Sequence, residues 1–249
     1  MGSFPATRHS VVAGLASQDT ETRRVAFDAL VSAYWRPVYK YVRIKWRAGR
    51  DDAADLTQEF FARELEKGAL GRFDPARARF RTYLRVCLDG FVANEHKAAA
   101  RVKRGGDIAF VSLDFASAER ELSEHTTIHR GLDAGAGDAD DDALFRQEWV
   151  RALFADAVGC LRQSLLASGK DAHFAIFERY DLADDQAGSR PTYAALAREF
   201  DLPVTQVTNY LALVRRELRR IVLDRLRTLC ANDDEYALEA REILGVDPT

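Results

Sequence analysis

Along most of the chain, apolar residues recur at helical rather than alternating spacing. In FRTYLRVCLDGFVANEHKAAARVKR, residues Phe80, Tyr83, Leu84, Cys87, Leu88, Phe91 and Val92 advance by threes and fours, which predicts one long amphipathic helix. Upstream, Asp19 or Thr20 can cap a helix carrying Val25, Leu30 and Tyr34. Pro37, whose fixed φ suits a first helical turn, predicts a second helix running through Tyr41 and Val42 toward Trp46. The run DDAADLTQEFFARELEK, residues 51–67, adds a helix with an acidic start, where carboxylates suit the positive end of the helix dipole. No alternating strand pattern and no internal repeat stand out, so the expected fold class is all-α.

After RVKRGG the pattern changes. Residues 107–142 are rich in Asp, Glu, Gly and Ser, carry little helical stripe, and predict a flexible acidic linker. Helical spacing resumes at Ala143, in LFRQEWVRALFADAVGCLRQSLL, then AHFAIFERYDL, then TYAALAREFDLPVTQVTNYLALVRRELRRIVLDRLR. The expected organisation is an N-terminal extension (1–21), a helical domain (22–106), the linker (107–142), a second helical domain (143–227) and an acidic C-terminal extension (228–249). The tail ANDDEYALEAREILG reads either as a terminal helix on the second domain or as a regulatory segment.

The last long segment has the build of a helix-turn-helix. Ala197 is small where two helices must approach, Asp201 stands at the tight turn, and Val207 anchors the second helix. Asp adopts the left-handed turn conformation less readily than Gly but more readily than most residues. Val207, Leu211, Val214, Leu218 and Ile221 trace a buried stripe, leaving Thr205, Gln206, Thr208, Asn209 and Ala212 on other faces, where polar side chains can read base edges. Arg215, Arg216, Arg219 and Arg220 follow, suited to phosphates or an acidic partner. A plain helical hairpin with solvated arginines has the same spacing.

Composition narrows the function classes. With 249 residues, 47% hydrophobic and 30% charged, the chain can bury a core, and its formal charge of -3 is too mild for a general nucleic-acid coat protein. Its charges are segregated along the sequence, so local sign matters more. Cys87, Cys160 and Cys230 match neither a disulfide framework nor a metal-binding CxxC. The N-terminus lacks a signal-peptide apolar region and no stretch approaches a membrane span, which predicts a cytoplasmic protein without a membrane partner. Nothing points to an enzyme: His125 and His129 lie four apart but without the glutamate of HExxH, and neither a phosphate-binding glycine loop nor a nucleophile elbow is present. No metal and no cofactor is expected.

Taken in order, DDAADLTQEFF, RFDPARARFRTYLRV, the basic KAAARVKRGG and the helix-turn-helix resemble an extracytoplasmic-function (ECF) sigma factor of the sigma-70 family, over residues 22–106 and 145–227. The resemblance implies a transcription initiation factor that binds core RNA polymerase, through its clamp helices and flap, and directs it to promoter DNA. Asp51, Asp52, Asp55, Gln58 and Glu59 would then face the basic clamp, while Leu56, Phe60 and Phe61 pack inward. Charge complementarity of this kind sets encounter rate and orientation. The loop from Gly68 to Arg79 would hold a flipped minus 10 base, with Arg79, Arg81, Arg85, Lys97, Arg101, Lys103 and Arg104 on its backbone. Phe80, Tyr83 and Phe91, on the apolar stripe, read as core rather than stacking platforms. Thr205, Gln206, Thr208, Asn209, Ala212, Arg215 and Arg216 would meet the minus 35 element.

The chain departs from the family pattern at several positions. Gly90 and Asn94 replace a frequent Asn and a frequent acid in the minus 10 helix, and Thr208 and Tyr210 replace common basic residues in the recognition helix. Base preferences therefore do not carry over. Ala54 stands where the acidic helix often has a further carboxylate, and Thr57 lies one turn on. A phosphate on Thr57 would restore that charge, which makes Thr57 a candidate phosphosite for a Ser/Thr kinase; an anti-sigma protein is the other expected regulator. The competing reading is a helix-turn-helix DNA-binding regulator that acts without polymerase. The acidic bulk charge disfavours it, because autonomous binding rests on phosphate neutralisation.

Overall fold

Asp19 opens the first long helix by accepting the Thr22 N–H on Oδ2 at 2.8 Å, the cap expected there. In the structure, a computed structural model describing residues 10–99, 113–124, 137–183 and 190–247, every described regular element is helical. The helices are α1 (Val11–Leu15), α2 (Thr20–Lys45), α3 (Arg50–Lys67), α4 (Phe80–Ala99), α5 (Phe115–Glu124), α6 (Asp138–Ala167), α7 (Asp171–Phe177), α8 (Tyr193–Glu199), α9 (Val204–Leu229) and α10 (Asp233–Leu244). No helix among the described residues is long and apolar enough to cross a membrane.

Pro37 does not start a helix; it lies inside α2, which runs unbroken for 26 residues. A proline in a helix interior costs about 3 kcal/mol. Here that cost is offset by burial along the helix, where Tyr34, Trp35, Val38, Tyr39, Tyr41 and Val42 are buried together with Pro37 itself.

The chain divides into two compact units, residues 1–152 with 226–249, and residues 153–225. The division falls within α6 and α9 rather than in the acidic segment. In the first unit, Phe27, Leu30, Tyr34, Val38 and Tyr41 of α2 are buried with Phe60 and Phe61 of α3 and Phe80, Leu84, Leu88 and Val92 of α4. Rings meet edge-on at Phe27–Phe61 and Tyr34–Phe80, and Trp149 of α6 stacks on Tyr34. The N-terminal extension contributes too: Val12 and Leu15 of α1 are buried, and the Ser10 hydroxyl donates to the Cys230 carbonyl at 2.6 Å. Gly71 is required by this contact, because a Cβ there would stand 2.9 Å from the Leu15 carbonyl oxygen.

The acidic segment is not simply a linker. Residues 115–124 fold as α5 and dock on α2. Phe115 meets the rings of Trp35 and Tyr39, Ala118 is fully buried, and Glu119 accepts from Arg43 and from the Tyr39 hydroxyl. Glu121 pairs with Arg36 and Lys40. Phe115, Ala118, Glu119 and Leu122 are spaced as one helix face, a stripe that the surrounding polar composition hides. His125 and His129, like the flanks of α5 at 100–112 and 125–136, lie outside the described residues.

The second unit is built on Leu153, Ala157, Leu161 and Leu165 of α6, Phe174 and Phe177 of α7, Leu196 and Ala197 of α8, and Val207, Leu211, Val214 and Ile221 of α9. The C-terminal α10 belongs to the first unit, where Tyr236, Glu239 and Ala240 are buried.

Candidate nucleic-acid interface

The acidic helix α3 is amphipathic. Ala53, Thr57, Phe60 and Phe61 face the core, while Asp51, Asp52, Asp55, Gln58 and Glu59 are exposed. Glu59 is shared with Arg63 of the next turn at 2.7 Å. Among the described residues no ion pair or hydrogen bond is formed by the side chains of Asp51, Asp52 or Asp55, so the first two turns present unpaired carboxylates outward. Gly68, left-handed at φ 61°, ends the helix by donating its N–H to the Glu64 carbonyl. Leu56, expected to pack inward, is half-buried.

Thr57 overturns its assignment as a phosphosite on that acidic surface. It is 0% exposed, and its hydroxyl donates to the Ala53 carbonyl at 2.7 Å. Positions 53, 57 and 60 follow the apolar stripe of α3, on the opposite side from the carboxylates. A phosphate at Thr57 would be buried against Phe60 rather than displayed beside Asp55, and its desolvation would be costly.

The arginines of α4 are also corrected. Of the seven cations expected on nucleic-acid backbone, Arg101, Lys103 and Arg104 lie outside the described residues and Lys97 is exposed. Arg85 is only 1% exposed; it donates to Asp89 at 2.9 Å and Asp138 at 2.6 Å, with Asp142 at 3.4 Å. Arg81 is 4% exposed, pairs with Glu239 of α10 and lies over the Trp149 ring. Arg79 forms a two-pronged bridge to Glu242, at 2.7 and 2.5 Å, and reaches Glu239 at 3.1 Å. These three arginines hold the first unit together instead of lying open to a ligand. The physical reason is long-range: apart from Asp89, one turn from Arg85, their carboxylate partners come from α6 and α10, far along the chain, where helical periodicity gives no signal.

Phe80 and Phe91 are core, as their stripe predicts, with Phe91 packed on Phe60; Tyr83 is half-buried, its hydroxyl donating to the Ala69 carbonyl at 2.9 Å. Gly68–Arg79, expected to form a base pocket, contains a short 3-10 turn at Leu70–Arg72, with Phe73 packed on Phe80 and Tyr83. Gly90 and Asn94 are exposed on α4.

In the second unit α8 and α9 follow one another across a tight turn. Thr192 caps α8 with its hydroxyl oxygen 3.1 Å from the Ala195 N–H. Asp201 takes φ 51°, the left-handed turn expected of it, and the Leu202 N–H closes the turn on the Ala197 carbonyl at 2.9 Å. Val207, Leu211 and Val214 are fully buried beneath it. Thr205, Gln206, Asn209, Ala212, Arg215 and Arg216 are exposed, and Thr208 is half-buried with its hydroxyl turned back to the Thr205 carbonyl. Arg215 is committed: Nε and Nη2 each donate at 2.8 Å to Asp181, on a π-helical turn at Glu178–Leu182. The same guanidinium lies over the Tyr180 ring. Arg216 and Arg219 are exposed and, among the described residues, without a carboxylate partner, whereas Arg220 pairs with Glu217 and Asp224.

Tyr210, where the resembled family often has a basic residue, stacks on His173 with ring centroids 3.6 Å apart. Burial pushes the His173 pKa down, favouring the neutral ring in that stack. Tyr210 is thus a packing residue. Asp181 and the carboxylates of α10 escaped the sequence reading. A mismatch in sign between the acidic tail and the basic start of α4 was the available signal for the latter; the Asp181–Arg215 pair leaves none.

Among the described residues no three His, Cys, Asp or Glu side chains are placed to hold a metal ion. In comparisons with protein-family models, with curated proteins and with solved structures, nothing matches this chain.

Proposed function

We propose that the chain is a transcription initiation factor of the ECF sigma type, which binds core RNA polymerase through the exposed acids of α3 and reads promoter DNA with α9. The observation that carries the reading is the pairing of two outward faces in one chain. The α3 carboxylates Asp51, Asp52 and Asp55 are exposed and, among the described residues, unpaired, and α9 displays Thr205, Gln206 and Asn209 behind a left-handed turn at Asp201. A basic coiled surface on polymerase would complement the first, and a major groove would admit the second.

A charge-reversed variant, Asp55→Lys with Glu59→Lys, tests the polymerase half. Both side chains are exposed, so the fold should persist while affinity for core polymerase falls at least tenfold at moderate salt. Unchanged affinity removes α3 from the interface. A second reading, a DNA-binding regulator independent of polymerase, draws support from Arg79, Arg81 and Arg85, whose commitment to internal carboxylates leaves α9 as the described nucleic-acid face. Sequence-selective DNA binding without polymerase would favour it.

A further inference from the structure

Helix α5 sits on α2 as a peptide ligand sits in a groove. It carries its own cap, with the Ser117 N–H donated to Asp114 Oδ1 at 3.0 Å, and places Phe115, Ala118, Glu119 and Leu122 on one face. The Phe115 ring meets those of Trp35 and Tyr39, with centroids 5.4 and 5.0 Å away. One turn on, Ala118 is fully buried, and Glu119 takes Arg43 Nε and Nη2 on Oε1 at 2.9 and 2.7 Å and the Tyr39 hydroxyl on Oε2 at 3.0 Å. Glu121 accepts from Lys40 at 2.7 Å and pairs with Arg36. An aromatic anchor, a small residue and spaced carboxylates on one amphipathic helix are how a helix is recognised in a groove.

The α2 side of this contact is supported without α5. Arg43 also donates to the Ala48 carbonyl, Lys40 reaches Glu148 of α6 at 3.6 Å, and the Arg36 guanidinium lies over the Trp35 ring at 5.1 Å. Each cation of the groove therefore has a second contact that α5 does not supply. Helix α5 has less support of its own. A helix of ten residues is marginal by itself in water, and its principal neighbour among the described elements is α2.

We propose that the α2 groove is a docking site for a protein partner that offers an acidic amphipathic helix with an aromatic anchor, and that α5 is its tethered competitor. Charge fixes the sign of the partner: Arg36, Lys40 and Arg43 are spaced four and three residues apart along α2, matching carboxylates one turn apart on a helix. Arg50, which opens α3, extends the cationic rim, with Nε 3.7 Å from Glu119. Trp35 and Tyr39, buried beneath α5, require an apolar side chain beside those carboxylates. Tethering gives an internal ligand an effective concentration on the order of millimolar, so a partner must make the same contacts over a longer helix to take its place. This role does not rest on the initiation-factor reading.

The test uses the full chain and a fluorescent peptide of residues 113–124, titrated by anisotropy up to millimolar chain. Ala118→Asp puts a carboxylate at the fully buried position of α5 and leaves every α2 side chain unchanged. That variant should bind the peptide at least about tenfold more tightly than wild type, because the tethered competitor no longer covers the groove. The gain should vanish when Arg43→Glu is added to the chain, or when the peptide carries Phe115→Ser. Hydrogen exchange in α2 and α4 checks that the bundle is intact; if Ala118→Asp loses that protection, Phe115→Ser in the chain, also confined to α5, must give the same gain. Equal affinity for wild type and an intact variant, absence of binding to both included, overturns the site. An equal gain with the Phe115→Ser peptide reduces the contact to charge alone and overturns it too. A concentration-dependent doubling of mass in the wild type, abolished by Ala118→Asp, would give the groove to α5 of a second copy and overturn the choice of a separate partner.

Discussion

Both α4 and α9 carry rows of arginines, and they use them in opposite ways. At the start of α4, Arg79, Arg81 and Arg85 turn toward carboxylates of α10 and α6, and Arg81 and Arg85 are withdrawn from water. On α9, Arg216 and Arg219 point outward, and Arg215 is braced by Asp181 while remaining exposed. The residue type alone does not tell a structural cation from a ligand-binding one. What separates the two rows is the burial of the pairs: Arg81 and Arg85 are withdrawn against carboxylates of helices distant in sequence, whereas the α9 arginines stay exposed even where Asp181, Glu217 or Asp224 pairs with them.

The comparison breaks most sharply at Arg85. Removing a guanidinium that is only 2% exposed leaves a gap in the packing and takes one charge-assisted bond from Asp89, so Arg85→Ala should cost about 3 kcal/mol of stability. Chemical denaturation measures it, and a change under about 0.5 kcal/mol would make Arg85 an ordinary surface arginine.

Next in size is the α5 clamp. Glu119→Gln weakens the charge-assisted bonds from Arg43 and should cost about 2 kcal/mol, seen as faster amide exchange in α5. The hydrogen bond from Arg43 lowers the Glu119 pKa below its ordinary 4.5, with burial opposing and the Tyr39 hydroxyl assisting. A carboxyl with a depressed folded pKa contributes stability that is complete above its unfolded value and lost as pH falls through the folded one. The protection of α5 should therefore hold at neutral pH and decline only below about 4.5. In Glu119→Gln that decline should be smaller, and an identical acid profile in the two proteins would remove Glu119 as its source.

The turn at Asp201 gives a smaller effect of opposite sign. A non-glycine residue at positive φ is strained, whereas glycine loses more entropy on folding, so Asp201→Gly should stabilise the second unit by about 0.5 kcal/mol. Destabilisation on thermal melting would mean that the Asp201 side chain contributes more than its strain costs. Smallest of all in stability is Arg216→Ala, expected within about 0.5 kcal/mol of wild type. Its effect should lie in DNA binding: uniformly weaker across sequences, with the salt slope reduced by about one. Gln206→Ala should change sequence preference instead, and identical behaviour of the two variants would contradict their separate roles.

Features set by neighbours a few residues apart were legible in the sequence. The stripe Val207, Leu211 and Val214 and the left-handed Asp201 lie within four turns of helix, and the outward acids of α3 follow from the same periodicity. Thr57 could have been read as buried, since it continues the line of Ala53 and Phe60; its hydroxyl drew attention to the wrong face. The fates of Arg79, Arg81 and Arg85 were not legible. Arg81 and Arg85 flank an apolar stripe, and whether such flanks meet water depends on helices placed by tertiary packing, here α6 and α10. In the same way Pro37 marks a helix start by local rules, but burial along α2 overrides it.

The central claim, that this chain directs core RNA polymerase to promoters, is tested most directly by run-off transcription with purified core enzyme on genomic promoter fragments. Specific product only when both chain and core are present, reduced by Asp55→Lys with Glu59→Lys and shifted in promoter preference by Gln206→Ala, is the predicted result. Specific DNA binding by the chain alone, with no product on any fragment that it binds when core is added, would contradict it.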